Sequence, residues 1–179
     1  MLTGLTNDNN VISGCSIGDL KGKIEYSNNI QHFLSGYTDY EFTDNVYEKY
    51  DVIYPVDDRV DELKYRDISA SDYISDGYIF EYTKYSELIK HKSAHYINFF
   101  KDVCLVWKIK EIADENFIYK ECAVNTQFGG YYNKHPKLIT LLSYDDATVL
   151  YRGKNGLYRS LNNDEKNRCK EWLKKKSRA

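Results

Sequence analysis

Apolar positions recur along the chain at two periods, and the switches between them predict its elements. Residues 12–17 and 23–26 read as short strands punctuated by Gly14, Gly18 and Gly22. Ile30, Phe33 and Leu34 then fall at i, i+3 and i+4, which predicts a short helix over 28–34 with Gly36 as its stop. From 43 to 56 two readings stand: Val46, Tyr47, Tyr50 and Tyr54 keep a helical spacing, while Val52, Tyr54 and Val56 alternate like a strand through Pro55. The stretch 57–76 is polar, with few large aliphatics, and has the least structured pattern of the chain.

A clearer signal begins at Thr83, the cap of a helix expected over about 84–101, whose stripe is Tyr85, Leu88, Ile89, Tyr96, Phe99 and Phe100. Two β-type runs follow, and one register places Leu105 opposite Val124, Trp107 opposite Cys122 and Lys108 across from Glu121, predicting a hairpin over about 103–124. A second hairpin, about 148–161, turns at Gly153-Lys154-Asn155-Gly156. The last element is a C-terminal helix at about 163–176, capped by Asn162 with Glu165 three residues on. Its docking stripe is Cys169, Trp172 and Leu173, and Lys174, Lys175, Lys176 and Arg178 sit where the helix dipole favours cations. The expected fold is therefore α+β, a single domain around an antiparallel sheet built from hairpins.

A length of 179 residues suits one domain, and 42% apolar with 29% charged residues marks a globular chain. Tyrosine is the outlier: 18 Tyr stand against 7 Phe and 2 Trp, a bias that with abundant Asn, Ile and Lys suggests an AT-rich genome. Cys15, Cys104, Cys122 and Cys169 lack the paired spacing of a zinc or dithiol site. No signal-peptide pattern or long apolar run is visible, so the expectation is a cytoplasmic protein with reduced thiols and no membrane association.

The charge balance changes the picture more. Residues 37–87 hold 14 acidic and 5 basic groups, net −9, together with ten of the tyrosines; residues 152–179 hold 10 basic and 3 acidic groups, net +7. An acidic, Tyr-rich stretch can be an outer face cancelled by the basic C-terminus, or a recognition surface in which rigid rings supply contact area and carboxylates steer a basic partner. On the second reading the anchors are Tyr50, Tyr54, Tyr65, Tyr73 and Tyr78, and the steering acids are Asp57, Asp58, Asp61, Glu62 and Asp72.

Other candidates are less complete. His91 and His95 have the i, i+4 spacing of helical metal ligands, without the glutamate of a zincin motif. Residues 57–64 contain the acidic and Glu-x-Lys elements of metal-dependent nucleases at a spacing that is too short. Cys15 lies in a Gly-flanked turn, with His95 or His135 as conceivable bases. The loop 127–136 offers Tyr131, Tyr132, Lys134 and His135 to a nucleotide, without the glycine spacing of a phosphate loop. Residues 152–178 form a basic surface for weak nucleic-acid binding.

No catalytic set, metal site or cofactor is implied. The leading expectation is a small intracellular inhibitor of the immunity or phage anti-defence type, which occludes a protein with a basic surface. The alternatives are an enzyme acting on nucleotides or nucleic acid through the Gly-Gly-Tyr-Tyr loop, with a carboxylate from the acidic block, and a weak nucleic-acid binder.

Overall fold

A computed structural model describes residues 11–12, 15–34, 39–43, 49–73, 77–124 and 133–177. In chain order its strands are β1 (Val11–Ile12), β2 (Cys15–Ser16), β3 (Glu41–Phe42), β4 (Val52–Tyr54), β5 (Arg59–Tyr65), β6 (Tyr78–Glu81), β7 (Ser93–Phe99), β8 (Val103–Lys108), β9 (Ile118–Val124), β10 (Asn133–Leu142), β11 (Thr148–Arg152) and β12 (Tyr158–Ser160). The helices are α1 (Ile17–Asn28), α2 (Tyr82–Leu88) and α3 (Asn163–Ser177). The fold is α+β, with mostly antiparallel strands. A seven-stranded sheet runs β12-β11-β8-β7-β5-β4-β3, a three-stranded sheet runs β6-β10-β9, and β1 pairs with β2. Only β5 and β7 pair in parallel among the described strands, from Arg59 opposite Ser93 to Tyr65 opposite Phe99.

Alternation along the central strands divides the interior into two aromatic-rich cores, one on each face of the large sheet. On one face, Val60, Tyr96, Leu105, Trp107 and Val149 pack with Tyr78 and Phe80 of β6, Tyr85 and Leu88 of α2, and Leu142 of β10. On the other, Leu63, Ile97, Phe99, Cys104 and Leu150 pack with Tyr26 of α1, Phe33 and Tyr54. The tyrosines are part of this packing. Tyr26 stacks on Phe33 with ring centroids 4.6 Å apart, and Phe80 meets Tyr96 at 4.7 Å. Within the acidic segment Tyr54, Tyr78 and Tyr85 are buried, Tyr40, Tyr50, Tyr65, Tyr73 and Tyr82 are half-buried, and none of these eight is exposed.

From residue 148 on the chain follows the sequence pattern, whereas the loop expected over 127–136 gives way at Asn133 to strand β10. Strands β11 and β12 pair with Tyr151 opposite Arg159. Their turn closes through Gly156, whose φ of +80° is open to glycine without a Cβ penalty. At the start of α3, Asn162 Oδ1 accepts the Glu165 N–H at 2.9 Å and Glu165 Oε2 accepts the Asn162 N–H at 3.1 Å, a reciprocal capping box.

Five expectations need correction. Residues 23–26 belong to α1 rather than to a strand; the helix expected over 28–34 is only the end of α1 and a 3-10 turn at Ile30–His32. The helix expected over 84–101 stops at Leu88, and its second half is β7. Both faces of β7 are covered, so apolar residues stand at adjacent as well as alternate positions, and Tyr96, Phe99 and Phe100 also satisfy a helical stripe. The strands of the expected 103–124 hairpin exist but do not pair: β8 lies between β7 and β11, with Trp107 opposite Tyr96, while β9 pairs with β10. Any neighbour of matching alternation would have satisfied that register. Finally, 57–76 contains β5, a central strand with five consecutive buried residues.

Candidate functional site

Strand β5 is polar in sequence and buried in structure because its charges are paired on both faces. On the α1 face, Asp61 is fully buried and accepts from Tyr26 Oη at 2.6 Å, from Arg59 Nη2 at 2.7 Å and Nε at 3.1 Å, and from His95 Nδ1 at 2.9 Å. The Tyr26 and Tyr54 hydroxyls meet at 2.5 Å, and the Arg59 guanidinium lies 4.6 Å from the Tyr54 ring centroid. Burial pushes the Asp61 carboxyl up, but the hydrogen bonds from His95 and Arg59, with their charges, outweigh it and hold it below its ordinary value. The same burial, and the Asp61 charge, push the Tyr26 phenol up.

On the opposite face, the buried Glu62 carboxylate sits 2.7 Å from Lys84 and 3.0 Å from Lys64. Beside it, Asp51 Oδ2 accepts the Leu63 N–H at 2.7 Å. Burial, then the Glu62 charge, raise the Asp51 carboxyl to about 7.

A histidine oriented by a buried carboxylate is the positioning half of a general base. His95 has that arrangement, yet among the described residues it hydrogen-bonds to no hydroxyl or thiol, so no nucleophile completes a catalytic set. Asp61, with four donors on its two oxygens, is a structural acceptor.

These positions divide the residues expected to form one recognition surface. Tyr54, Asp61, Glu62 and Tyr78 are interior and cannot anchor or steer a partner. The remainder lies at opposite ends of β5, whose seven residues span about 20 Å. Tyr50, Asp57 and Asp58 are at its start; Tyr65, Asp72 and Tyr73 are at or beyond its end. Tyr73 stacks on Tyr78 at 5.4 Å and takes the Arg66 guanidinium on its ring, a half-buried role.

The first group belongs to the β4–β5 turn, residues 55–58. Asp58 adopts a left-handed φ of 49°, which Asp tolerates better than most residues. Its carboxylate accepts from His91 Nδ1 at 2.8 Å and from the Lys92 N–H at 2.9 Å, and its carbonyl accepts the Ser93 N–H at 3.2 Å. These bonds hold its carboxyl below the ordinary value, the His91 bond being the largest cause. Tyr50 packs edge-on to His91 at 5.3 Å. The turn is thus fixed to the α2–β7 connection, and at its tip Val56 is 82% exposed. The β3–β4 ladder ends with Glu41 opposite Ile53, and Asp39 and Glu41, before and at the start of β3, are exposed.

The other candidates separate. His91 and His95 lie on a connection and a strand, each bound to its own aspartate, instead of sharing a helix face. Asp61 and Glu62 point to opposite faces of β5, so the nuclease-like run does not converge. Among the described residues no group of three His, Cys, Asp or Glu side chains gathers to hold a metal. Cys104 is buried and its thiol is pushed up by that burial. Tyr131 and Tyr132 lie outside the described residues, as do the side chains of Cys15, Lys134 and His135. The basic helix α3 packs on the 3-10 turn Ala70–Asp72 of the acidic segment, so the two charge blocks partly cover each other.

In the sequence Val56 reads as a strand position, and His91 as a surface or half-buried residue at metal-ligand spacing from His95. The signal available was the turn chemistry of Pro55-Val56-Asp57-Asp58, a proline before and two aspartates after one unsupported aliphatic. No described helix is long and apolar enough to cross a membrane. Comparison with protein-family models, with curated proteins and with solved structures finds no match for this chain.

Proposed function

We propose that the protein is an intracellular binding protein of inhibitory type, of the immunity or phage anti-defence kind, which occludes a basic surface of a protein partner with the corner around the β4–β5 turn. The observation that carries this reading is Val56, an exposed aliphatic on a turn held in place through Asp58, with Asp57 and Asp58 next to it in the turn and the exposed Asp39 and Glu41 before and at the start of the neighbouring β3. A fixed apolar tip loses little conformational entropy on docking. The surrounding acids favour encounter with a cationic partner and set the register of the complex. Tyr50 supports the corner from behind, through His91.

The test is affinity capture of the partner from the native host across a salt series, with Asp57→Lys and Val56→Asp compared with the unaltered chain. Recovery that falls with salt and is lost in both variants, at unchanged thermal stability, supports the proposal. Recovery indifferent to both variants overturns it.

A further inference from the structure

The Glu-x-Lys element Glu62-Leu63-Lys64 has no second acid at a workable distance within 57–64, but the fold brings one from outside that run. Asp51 stands immediately before β4, at the opposite end of that strand from Val56. Its N–H donates to the Asp61 carbonyl at 3.0 Å, and its Oδ2 accepts the Leu63 N–H at 2.7 Å. These bonds fall on the residues before and after Glu62, which sets the two acids side by side. We propose that Asp51 and Glu62 bind a divalent cation of the Mg²⁺ class together with a phosphate group, which Lys64 and Lys84 hold.

The case for a cation starts from Glu62, which is 1% exposed. Both lysine ammonium groups contact its Oε1, whereas its Oε2 is buried and accepts no hydrogen bond among the described residues. A buried carboxylate oxygen without a donor is costly. The neighbouring acid adds to that cost, since burial and the Glu62 charge lift the Asp51 carboxyl to about 7. A divalent cation between the two acids relieves both. Two carboxylates are enough for a hard cation of this class, which fills the rest of its shell with water and phosphate oxygens.

The lysines select the second ligand. With Asp51 ionised, two carboxylates and two ammonium groups make the cluster neutral, so a dication alone would leave it with two uncompensated positive charges. The cation therefore binds with an anion. The side chains of Lys64 on β5 and Lys84 on α2 are 36% and 27% exposed, so their ammonium groups can turn from Glu62 to a group arriving from solvent. Lysine and Mg²⁺ acting together form a clamp for phosphoryl oxygens.

The test is titration of the full chain with Mn²⁺, the free ion being read by electron paramagnetic resonance. Inorganic phosphate, AMP and a short DNA strand are present in separate arms, each corrected for the Mn²⁺ it binds by itself. The expected result is one bound Mn²⁺, displaced by Mg²⁺, whose affinity rises about tenfold with at least one of these anions. Which of them gives the largest rise tells free phosphate, nucleotide and nucleic acid apart. Asp51→Asn, which keeps the acceptor for the Leu63 N–H, and Glu62→Gln should each weaken Mn²⁺ by about tenfold or more, with circular dichroism unchanged. Lys84→Met, on a half-exposed side chain, should tighten Mn²⁺ alone and reduce the gain from the anion, an effect that a merely structural ion pair does not produce. No saturable Mn²⁺ binding, unchanged affinity in both carboxylate variants, weaker Mn²⁺ in Lys84→Met, or indifference to all three anions overturns the proposal.

Discussion

Asp61 Oδ1 and His95 Nδ1 are 2.9 Å apart, side by side on the parallel pair β5–β7. Because an ionised carboxylate only accepts, the imidazole proton is on Nδ1, and the interior of the sheet is held by a saturated polar cluster rather than by apolar contacts alone.

Removing the acceptor strands the donors. Asp61→Ala leaves Arg59, only 6% exposed, without its counter-ion and should destabilise the fold by about 3–5 kcal/mol in denaturant unfolding. The double replacement Arg59→Met with Asp61→Leu should recover much of that loss, since it removes the buried charges together. A cost below about 1 kcal/mol for Asp61→Ala alone would show that the cluster does not support the sheet.

The raised Asp51 carboxyl gives a pH dependence whose sign is fixed. Between its ordinary value of 3.8 and about 7, the folded state holds a proton that the unfolded chain has released. Folding stability from this group therefore falls as pH rises through that window and levels off above it. Asp51→Asn removes the effect while keeping an acceptor for the Leu63 N–H. The variant should gain stability relative to the unaltered chain on going from pH 5 to pH 8 in urea unfolding; parallel pH profiles would refute the assignment.

How much of this was legible in the sequence depends on how local the cause is. The β11–β12 hairpin and the capping box of α3 are set by residues within a few positions of one another, Gly153 to Gly156 and Asn162 with Glu165, and both were readable. Strand β5 was not, because its charges are paired with Tyr26, His95 and Lys84, partners that no local pattern reveals. For the same reason four proposed surface residues turned out to be interior. Asp57 and Asp58 were identified as acids of a recognition surface, but the pinning of their turn by His91 and Lys92 needed the parallel β5–β7 pairing.

The Asp58 turn rests on both its backbone and its side chain. Asp58→Asn keeps tolerance of the left-handed region and an acceptor for the Lys92 N–H and should cost little, whereas Asp58→Val loses both and should cost about 1–2 kcal/mol in thermal or urea unfolding. Equal stability of the two variants would mean that the turn relaxes to another conformation, and the fixed tip at Val56 would be lost with it.

The central claim, recognition of a basic partner by the β4–β5 corner, is tested most directly by a photoreactive residue placed at position 56 and activated in the native host. Recognition through this corner gives one discrete cross-linked partner whose yield collapses when Asp57 is replaced by Lys, with the fold intact by circular dichroism. An adduct of undiminished yield with the lysine variant, or no adduct from position 56 while the same partner cross-links elsewhere on the chain, would contradict it.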